Sequence, residues 1–351
     1  MSLNELETPV PVVDLAKVDA NLKRMQDYCD THGIKLWPHI KTHKIVEMAK
    51  RQLALGAEGL VCQKLTEAEV MLDAGCENIL ISYPMIGMEK ARRLAAIAGK
   101  AKFTVAADSI CAVDTLREAA EMSGAEIGVL VEFDSGMGRT GVVTPKEAYE
   151  LAEMISDTDG LRFAGLMTYP SNENSVAFLK EVKPLLDAAG FGLPVFSGGG
   201  TPKAFHQHEL GIVDQLRVGT YIYHDRNTVA AGAASLEDCA LHVLATVISA
   251  PKPGHFVLDC GTKTLTSDPV AAPNKGHGLL VDYPEAVIER LTEEHGMVTL
   301  DPDLPAPRIG EKVLILPNHV CPVSNLHDQV AVRQRDGSFE FWDVSARGCT
   351  R

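Results

Sequence analysis

Three stretches of the chain hold side chains whose types and spacing suit chemistry. The first is Pro38-His39-Ile40-Lys41-Thr42-His43-Lys44, at the end of an apolar run over 34–40. A partly buried lysine flanked by His39, His43 and Lys44 is in the setting of a nucleophilic amine. A solvated lysine on the rim of a fold is the plainer reading. The second stretch is Ser197-Gly198-Gly199-Gly200-Thr201-Pro202. Its glycines let backbone amides approach an anion, and a hydroxyl stands at each edge. Thr201-Pro202 opens a helix whose N-terminus favours negative charge. A tight turn is the more frequent explanation of a glycine triplet alone, but Gly219-Thr220-Tyr221 on the next apolar run adds a second candidate anion loop. The third stretch is His319-Val320-Cys321. On an extended strand, residues i and i+2 point the same way, so imidazole and thiolate can share one ion. Zn²⁺ suits these donors, and Mn²⁺ or Mg²⁺ fits if water completes the shell. On the residues alone, a histidine beside a buried cysteine is the plainer account.

The elements that must position these groups alternate over the first two thirds of the chain. Apolar runs at 34–40, 59–63, 78–83, 102–107, 126–133, 163–169, 194–199 and 214–222 are separated by amphipathic stretches. Thr144-Pro145 has the N-cap and first-turn chemistry of a helix start. Eight such units predict a (β/α)8 TIM-type barrel, with an open doubly wound sheet as the alternative. In a barrel, chemistry gathers where strands end at the C-terminal face, and the loops after strands seven and eight are the usual phosphate site. Lys41, Gln63, Arg139, Tyr169, Ser197 and Arg217 all fall at such ends. A phosphate site with a strand-end lysine points to pyridoxal phosphate, although an aldolase of phosphorylated sugars has the same two features. Beyond about Asn227 the pattern becomes short strands joined by Pro- and Gly-rich turns. This predicts a barrel over 1–230, its first ten or so residues packing on the second domain, and an all-β domain over 231–351.

Composition excludes several classes. A net charge of -14 with no basic run disfavours nucleic acid. No apolar run is long enough for a membrane span, and the acidic start lacks the regions of a signal peptide. The eight cysteines form no CxxC pair and no dense framework. They read as reduced thiols of a cytoplasmic protein.

Four motifs together carry a resemblance that covers nearly the whole chain: PHIKTHK, DSGMGRTGV, SGGGTP and PNHVCPVSNLHD. They resemble the D-threonine aldolase and D-serine dehydratase group, relatives of the alanine racemase barrel among pyridoxal phosphate enzymes. The resemblance implies Lys41 as the Schiff-base lysine and Gln63 near the cofactor. It implies Arg139 at the cofactor's phenolic oxygen and Tyr169 along its ring. Ser197, Gly199, Gly200 and Thr201, with Gly219, Thr220 and Tyr221, would form the phosphate cup. His319 and Cys321 would be the protein ligands of a divalent metal, with Asp328 as a further polar neighbour. A homodimer acting on small amino acids is implied as well.

The chain departs from that pattern in two ways that bear on the reaction. The aldolase branch usually carries a histidine shortly after the strand-six tyrosine, whereas here the sequence runs Tyr169-Pro170-Ser171-Asn172-Glu173-Asn174-Ser175. The His-x-Cys pair is typical of the dehydratase branch, whereas the segment from Asn325 to Arg351 resembles the aldolase branch. The resemblance therefore implies a metal-assisted lyase of D-β-hydroxy-α-amino acids. Retro-aldol cleavage to glycine and an aldehyde comes first, with His39 or His43 as substitute bases, and β-elimination is the alternative. An amino-acid racemase comes third, since no second base is identifiable. A non-catalytic pyridoxal phosphate carrier would lack the second domain.

Overall fold

A computed structural model describes residues 2–351. The chain divides into two compact units. One comprises 25–41, 46–219 and 349–351; the other comprises 1–24, 42–45 and 220–348. The boundary expected near 230 is therefore placed at 219/220. The N-terminal segment and the short piece 42–45 go with the second unit.

That assignment follows from strand pairing. The first strand, β1 (Val10–Asp14), pairs antiparallel with β10 (Leu241–Lys252) and parallel with β16 (Gln329–Arg333). Between β1 and β10 come the eight strands of the other unit. These are β2 (Lys35–Pro38), β3 (Leu60–Cys62), β4 (Asn78–Ile81) and β5 (Lys102–Ala107). They continue with β6 (Ile127–Glu132), β7 (Leu161–Met167), β8 (Phe196–Gly199) and β9 (Gln215–Val218). All pair in parallel in the order β2-β9-β8-β7-β6-β5-β4-β3. A single parallel bridge, His39 to Val61, joins the two ends, so the sheet is a nearly closed (β/α)8 barrel. The open-sheet alternative is set aside.

The barrel strands read as continuous apolar runs because both faces are covered; β6 is buried at every position. Trp37, Val61, Leu80, Ala106, Leu130, Ala164 and Met167 pack together as one buried cluster. Each large member stabilises the fold by about 1.5–3 kcal/mol. Helices at Val46–Ala54, Ile110–Ser123 and Pro145–Ser156 follow their strands. The last opens as expected: Thr144 Oγ accepts from the Glu147 amide, and Glu147 accepts from the Thr144 amide.

The second unit adds β11 (His255–Leu258), β12 (Leu279–Leu280), β13 (Val287–Leu291), β14 (Gly296–Thr299), β15 (Lys312–Leu316) and β17 (Phe339–Asp343). β11 pairs with both β14 and β10, so β10, β11, β14, β13, β12 and β15 form a ring of six strands. β1, β16 and β17 extend the sheet from β10. Leu6, Val10, Val12, Leu244 and Ala331 form its buried cluster, which explains why the N-terminus belongs here. Among the described residues no helix is long and apolar enough to cross a membrane.

Candidate active site

In the barrel unit, the residues after β2 and β3 are tied to one another. Lys41 lies in a one-turn 3-10 helix, Ile40–Thr42, and is half-buried. Its amide donates to His39 Nδ1 at 3.4 Å. With Nδ1 accepting, Nε2 carries the proton and donates to Gln63 Oε1 at 3.0 Å. Ser82 Oγ lies 3.3 Å from the same nitrogen. Gln63 is fixed from behind as well: its amide donates to Glu67 Oε2 at 2.7 Å, and its Nε2 donates to the Ser82 carbonyl. Both ring nitrogens of His39 are engaged, so it orients the Lys41 turn and Gln63.

Arg139 and Tyr169 meet, with the guanidinium carbon 5.2 Å from the ring centroid. The loop that presents Arg139 is rigid by construction. Asp134 Oδ1 accepts from the amides of Gly136, Met137 and Gly138, and these bonds hold its carboxyl below the usual carboxylate range. Tyr169 lies against the glycine loop. A Cβ placed on Gly200 would come within 3.2 Å of Tyr169 Cε2, and Gly200 has φ +137°. Gly200 caps a 3-10 helix, Thr201–Leu210; Pro202 has no N–H and the Lys203 amide donates to the Gly200 carbonyl at 3.3 Å, which leaves the amides of Gly200 and Thr201 without a partner inside the helix.

Those amides, the tyrosine face and the Arg139 cation fit a planar group that has a phosphate at one end and an anionic oxygen at the other. Gly199 and Ser197 are engaged elsewhere. The Gly199 amide donates to Ser171 Oγ at 2.6 Å, and Ser197 Oγ accepts from Arg217 Nε at 3.0 Å. Gly219 follows β9, the parallel neighbour of β8.

Arg217, to which no motif assigns a role, sits inside the barrel with 7% exposure. It also donates to the Thr168 carbonyl. Burial pulls its pKa down to about 10, against the opposing charge of Glu132. Glu132 is itself buried. Its Oε1 accepts from Thr140 Oγ1 at 2.9 Å, and its Oε2 has no partner. Burial raises its pKa, and the Thr140 bond and the Arg217 and Arg139 charges resist that rise.

In the second unit, His319 and Cys321 are near enough for Cys321 to raise the pKa of the imidazole. They are not on a strand. His319 is the N-cap of a helix, Val320–Leu326, and Cys321 is in its first turn. Pro322 cannot continue a β ladder but suits a first helical turn, which is why alternation misread the segment. His319 Nδ1 lies 2.7 Å from Asp268 Oδ2. Cys321 Sγ lies 3.2 Å from Thr42 Oγ1 and 3.8 Å from Thr220 Oγ1. Burial works to lower the His319 pKa, but bonds to Cys321 and Asp268 and the charge of Asp225 outweigh it and raise the pKa to about 9. An imidazole with anionic neighbours on both sides suits a divalent cation.

Among the described residues no group of three or more His, Cys, Asp or Glu side chains could hold a metal. The pair supplies two donors, and any further ligands would be water or substrate. Of the other expected site residues, two are held by contacts outside the metal pair. Asp328 is exposed and pairs with Arg347 at 3.0 Å. His43 is fully buried, its Nδ1 accepting from the Ile45 amide at 3.0 Å. Tyr221 is also buried.

Residues 13–227 match the family model of the alanine racemase N-terminal domain, and residues 240–333 match that of a putative serine dehydratase domain. A D-threonine aldolase from an Arthrobacter species is 35% identical, over 99% of this chain and 95% of its own length. A D-threo-3-hydroxyaspartate dehydratase from a Delftia species is 30% identical, over 97% of this chain and 98% of its own. The crystal structure of D-threonine aldolase from Filomicrobium marinum superposes with a TM-score of 0.91 at 34% identity. That match covers 100% of this chain and 98% of the other.

Proposed function

Since the chain belongs to the family of the D-threonine aldolases, with its alanine racemase-type barrel and serine dehydratase-type domain, we propose that it is a pyridoxal phosphate- and divalent metal-dependent lyase. Its reaction is retro-aldol cleavage of D-β-hydroxy-α-amino acids to glycine and an aldehyde. The observation that carries this reading is the end-to-end likeness to the two D-threonine aldolases.

When bound, the cofactor supplies an electron sink at Cα and the metal supplies a Lewis acid for the β-hydroxyl. The rest is the work of this chain. Lys41 holds the cofactor through its amine. Arg139 and Tyr169 orient the ring, and Gln63, set by His39, lies beside the lysine turn. The amides at Gly200, Thr201 and Gly219, with the hydroxyl of Thr220, take the phosphate, and Tyr221 packs behind them. His39 and His43 are the candidates to replace the histidine absent after Tyr169. His319 and Cys321 would hold the divalent cation, which would supply Lewis acidity to the β-hydroxyl when bound. The enzyme works as a cytoplasmic homodimer, which light scattering of the active protein tests; a fully active monomer would exclude the dimer.

β-Elimination to a keto acid and ammonia is the second reading, supported by the Delftia dehydratase likeness and the His-x-Cys pair. A product assay decides between the two. The protein, with pyridoxal phosphate and Mn²⁺ or Zn²⁺, is given D-threonine, D-serine and D-3-hydroxyaspartate, with the L-forms as controls. Glycine plus aldehyde is the expected result, and keto acid plus ammonia would replace it with the dehydratase reading.

A further inference from the structure

Asp268 comes from a part of the second unit that no motif marks. It follows a four-residue helix, Thr262–Leu265, and lies 51 residues before His319 in sequence. The contact between them, Nδ1 to Oδ2 at 2.7 Å, joins side chains that are 37% and 41% exposed. An exposed ion pair of that kind is worth little to stability. The loop that carries Asp268 is nevertheless built with care. Asn318, the residue before His319, donates from Nδ2 to the Asp268 carbonyl at 3.0 Å and to the Gly276 carbonyl at 2.9 Å. The Asp268 amide donates to Thr266 Oγ1 at 3.2 Å, and Asn227 Nδ2 donates to the Pro269 carbonyl at 3.2 Å. The segment bearing the imidazole thus clamps the loop bearing the carboxylate at two points. Their meeting is a designed feature of the unit.

The chemistry of that meeting is specific. A carboxylate accepting from Nδ1–H fixes the tautomer in which Nε2 has its lone pair available, and it raises the basicity of that nitrogen. The second candidate donor is Cys321, whose sulfur is touched by Thr42 Oγ1 and Thr220 Oγ1. With only two protein donors, affinity for a cation depends heavily on how well each donor is aimed.

We infer that Asp268 is the positioning residue of the metal site, holding His319 with Nε2 directed to the cation. The inference rests on the reading that His319 and Cys321 bind a divalent metal. It adds a third residue that acts through the first without touching the ion.

The test uses the full-length protein with Zn²⁺ or Co²⁺ and no substrate. The Zn²⁺ Kd is measured by competition with a chelator of known affinity for wild type, Asp268→Ala and Asp268→Asn. Loss of the carboxylate is expected to weaken binding by about 10–100-fold. Asp268→Asn, which keeps an acceptor for Nδ1–H but lacks the charge, should fall between wild type and the alanine variant. The visible spectrum of the Co²⁺ form should change in Asp268→Ala and be largely restored in Asp268→Asn. A structural role alone would alter unfolding and leave Kd and the cobalt spectrum in place, so that pattern overturns the inference. If Asp268→Ala does not fold, Asp268→Asn decides: a Kd within twofold of wild type overturns the inference. If wild type itself binds neither ion, the metal reading fails, and the inference fails with it. Metal bound equally by wild type and Asp268→Ala defeats only the inference.

Discussion

Arg217 donates from Nε to Ser197 Oγ at 3.0 Å, across the strands β9 and β8, inside the barrel. A buried guanidinium is costly unless hydrogen bonds and an opposite charge meet it. The Thr168 carbonyl and Ser197 supply the bonds, and Glu132 supplies the charge. Glu132 in turn has one carboxylate oxygen without a partner. Arg217→Met leaves that charge uncompensated and should destabilise the protein by about 3 kcal/mol. The double variant Arg217→Met/Glu132→Leu should cost less than the sum of its single changes, with a coupling of about 1–3 kcal/mol. Urea midpoints of the four proteins measure this, and strict additivity would refute the pairing.

Three lysines lie close in sequence to the candidate cofactor position, and the structure separates them. Lys44 Nζ is buried and donates to the Ala346 carbonyl at 3.3 Å. Lys64 Nζ lies 3.5 Å from the Tyr83 ring centroid. Lys41 has no such attachment and stands in the turn set by His39. Lys41→Ala should abolish the visible absorbance of the bound cofactor, whereas Lys64→Ala should retain it. A band that survives in Lys41→Ala would move the attachment elsewhere.

Much of this arrangement is legible in the sequence. The barrel strands stand out because runs such as Ile127–Glu132 are buried on both faces and so lack alternation. Gly200 stands out only beside Gly219-Thr220, since a glycine triplet alone reads as a tight turn, and Arg139 only through the family resemblance. What stays hidden is long-range. β1 pairs with strands more than two hundred residues away, so nothing local assigns the N-terminus to the second unit. Arg217 stands in plain view, but its partners lie on other strands. Asp268 meets His319 only through loop placement. The His319–Cys321 pair is visible as donors, but strand alternation gives it the wrong geometry because Pro322 starts a helix there.

Gly200 offers a test of the anion loop. Its φ of +137° disfavours any side chain, and a Cβ would press on Tyr169 at 3.2 Å. Gly200→Ala should introduce strain of about 1–3 kcal/mol. Tyr169 can absorb part of it by moving away from the cofactor position. Cofactor affinity, followed by absorbance titration, should fall about tenfold or more while the far-ultraviolet circular dichroism is kept. An unchanged affinity would remove Gly200 from the cofactor site.

Two histidines of the second unit predict how stability depends on pH. Burial, reinforced by the Arg24 charge for His224 and the Lys17 charge for His242, lowers both from 6.5 to about 4. Above pH 6.5 neither the folded nor the unfolded state is protonated at these sites, and they contribute no pH dependence. Between 6.5 and 4 the unfolded chain binds protons that the folded chain refuses, so stability falls as pH falls. Below 4 both states are protonated and the effect levels off. Each group accounts for at most about 3 kcal/mol across that window. His224→Asn, a residue that tolerates the φ of +50° found there, and His242→Gln should flatten the curve of urea midpoint against pH. Equal slopes for variants and wild type would assign the acid sensitivity to other groups.

The last prediction concerns Thr42, the residue bonded to Lys41. Its hydroxyl is fully buried and 3.2 Å from Cys321 Sγ. A hydroxyl donating to a thiolate stabilises the charged form, which is the form that binds a metal. Thr42→Val keeps the shape and removes the donor, at a cost of about 1 kcal/mol for the lost bond, or roughly fivefold in metal Kd. The loss should appear in a chelator competition with Zn²⁺. The visible band of the bound cofactor should keep its intensity, because Lys41 retains its turn through the bond of its amide to His39 Nδ1. Loss of the cofactor band together with the metal would show that the Thr42 hydroxyl holds the lysine turn itself. An unchanged Kd would mean that the Thr42 hydroxyl does not support Cys321 as a metal ligand.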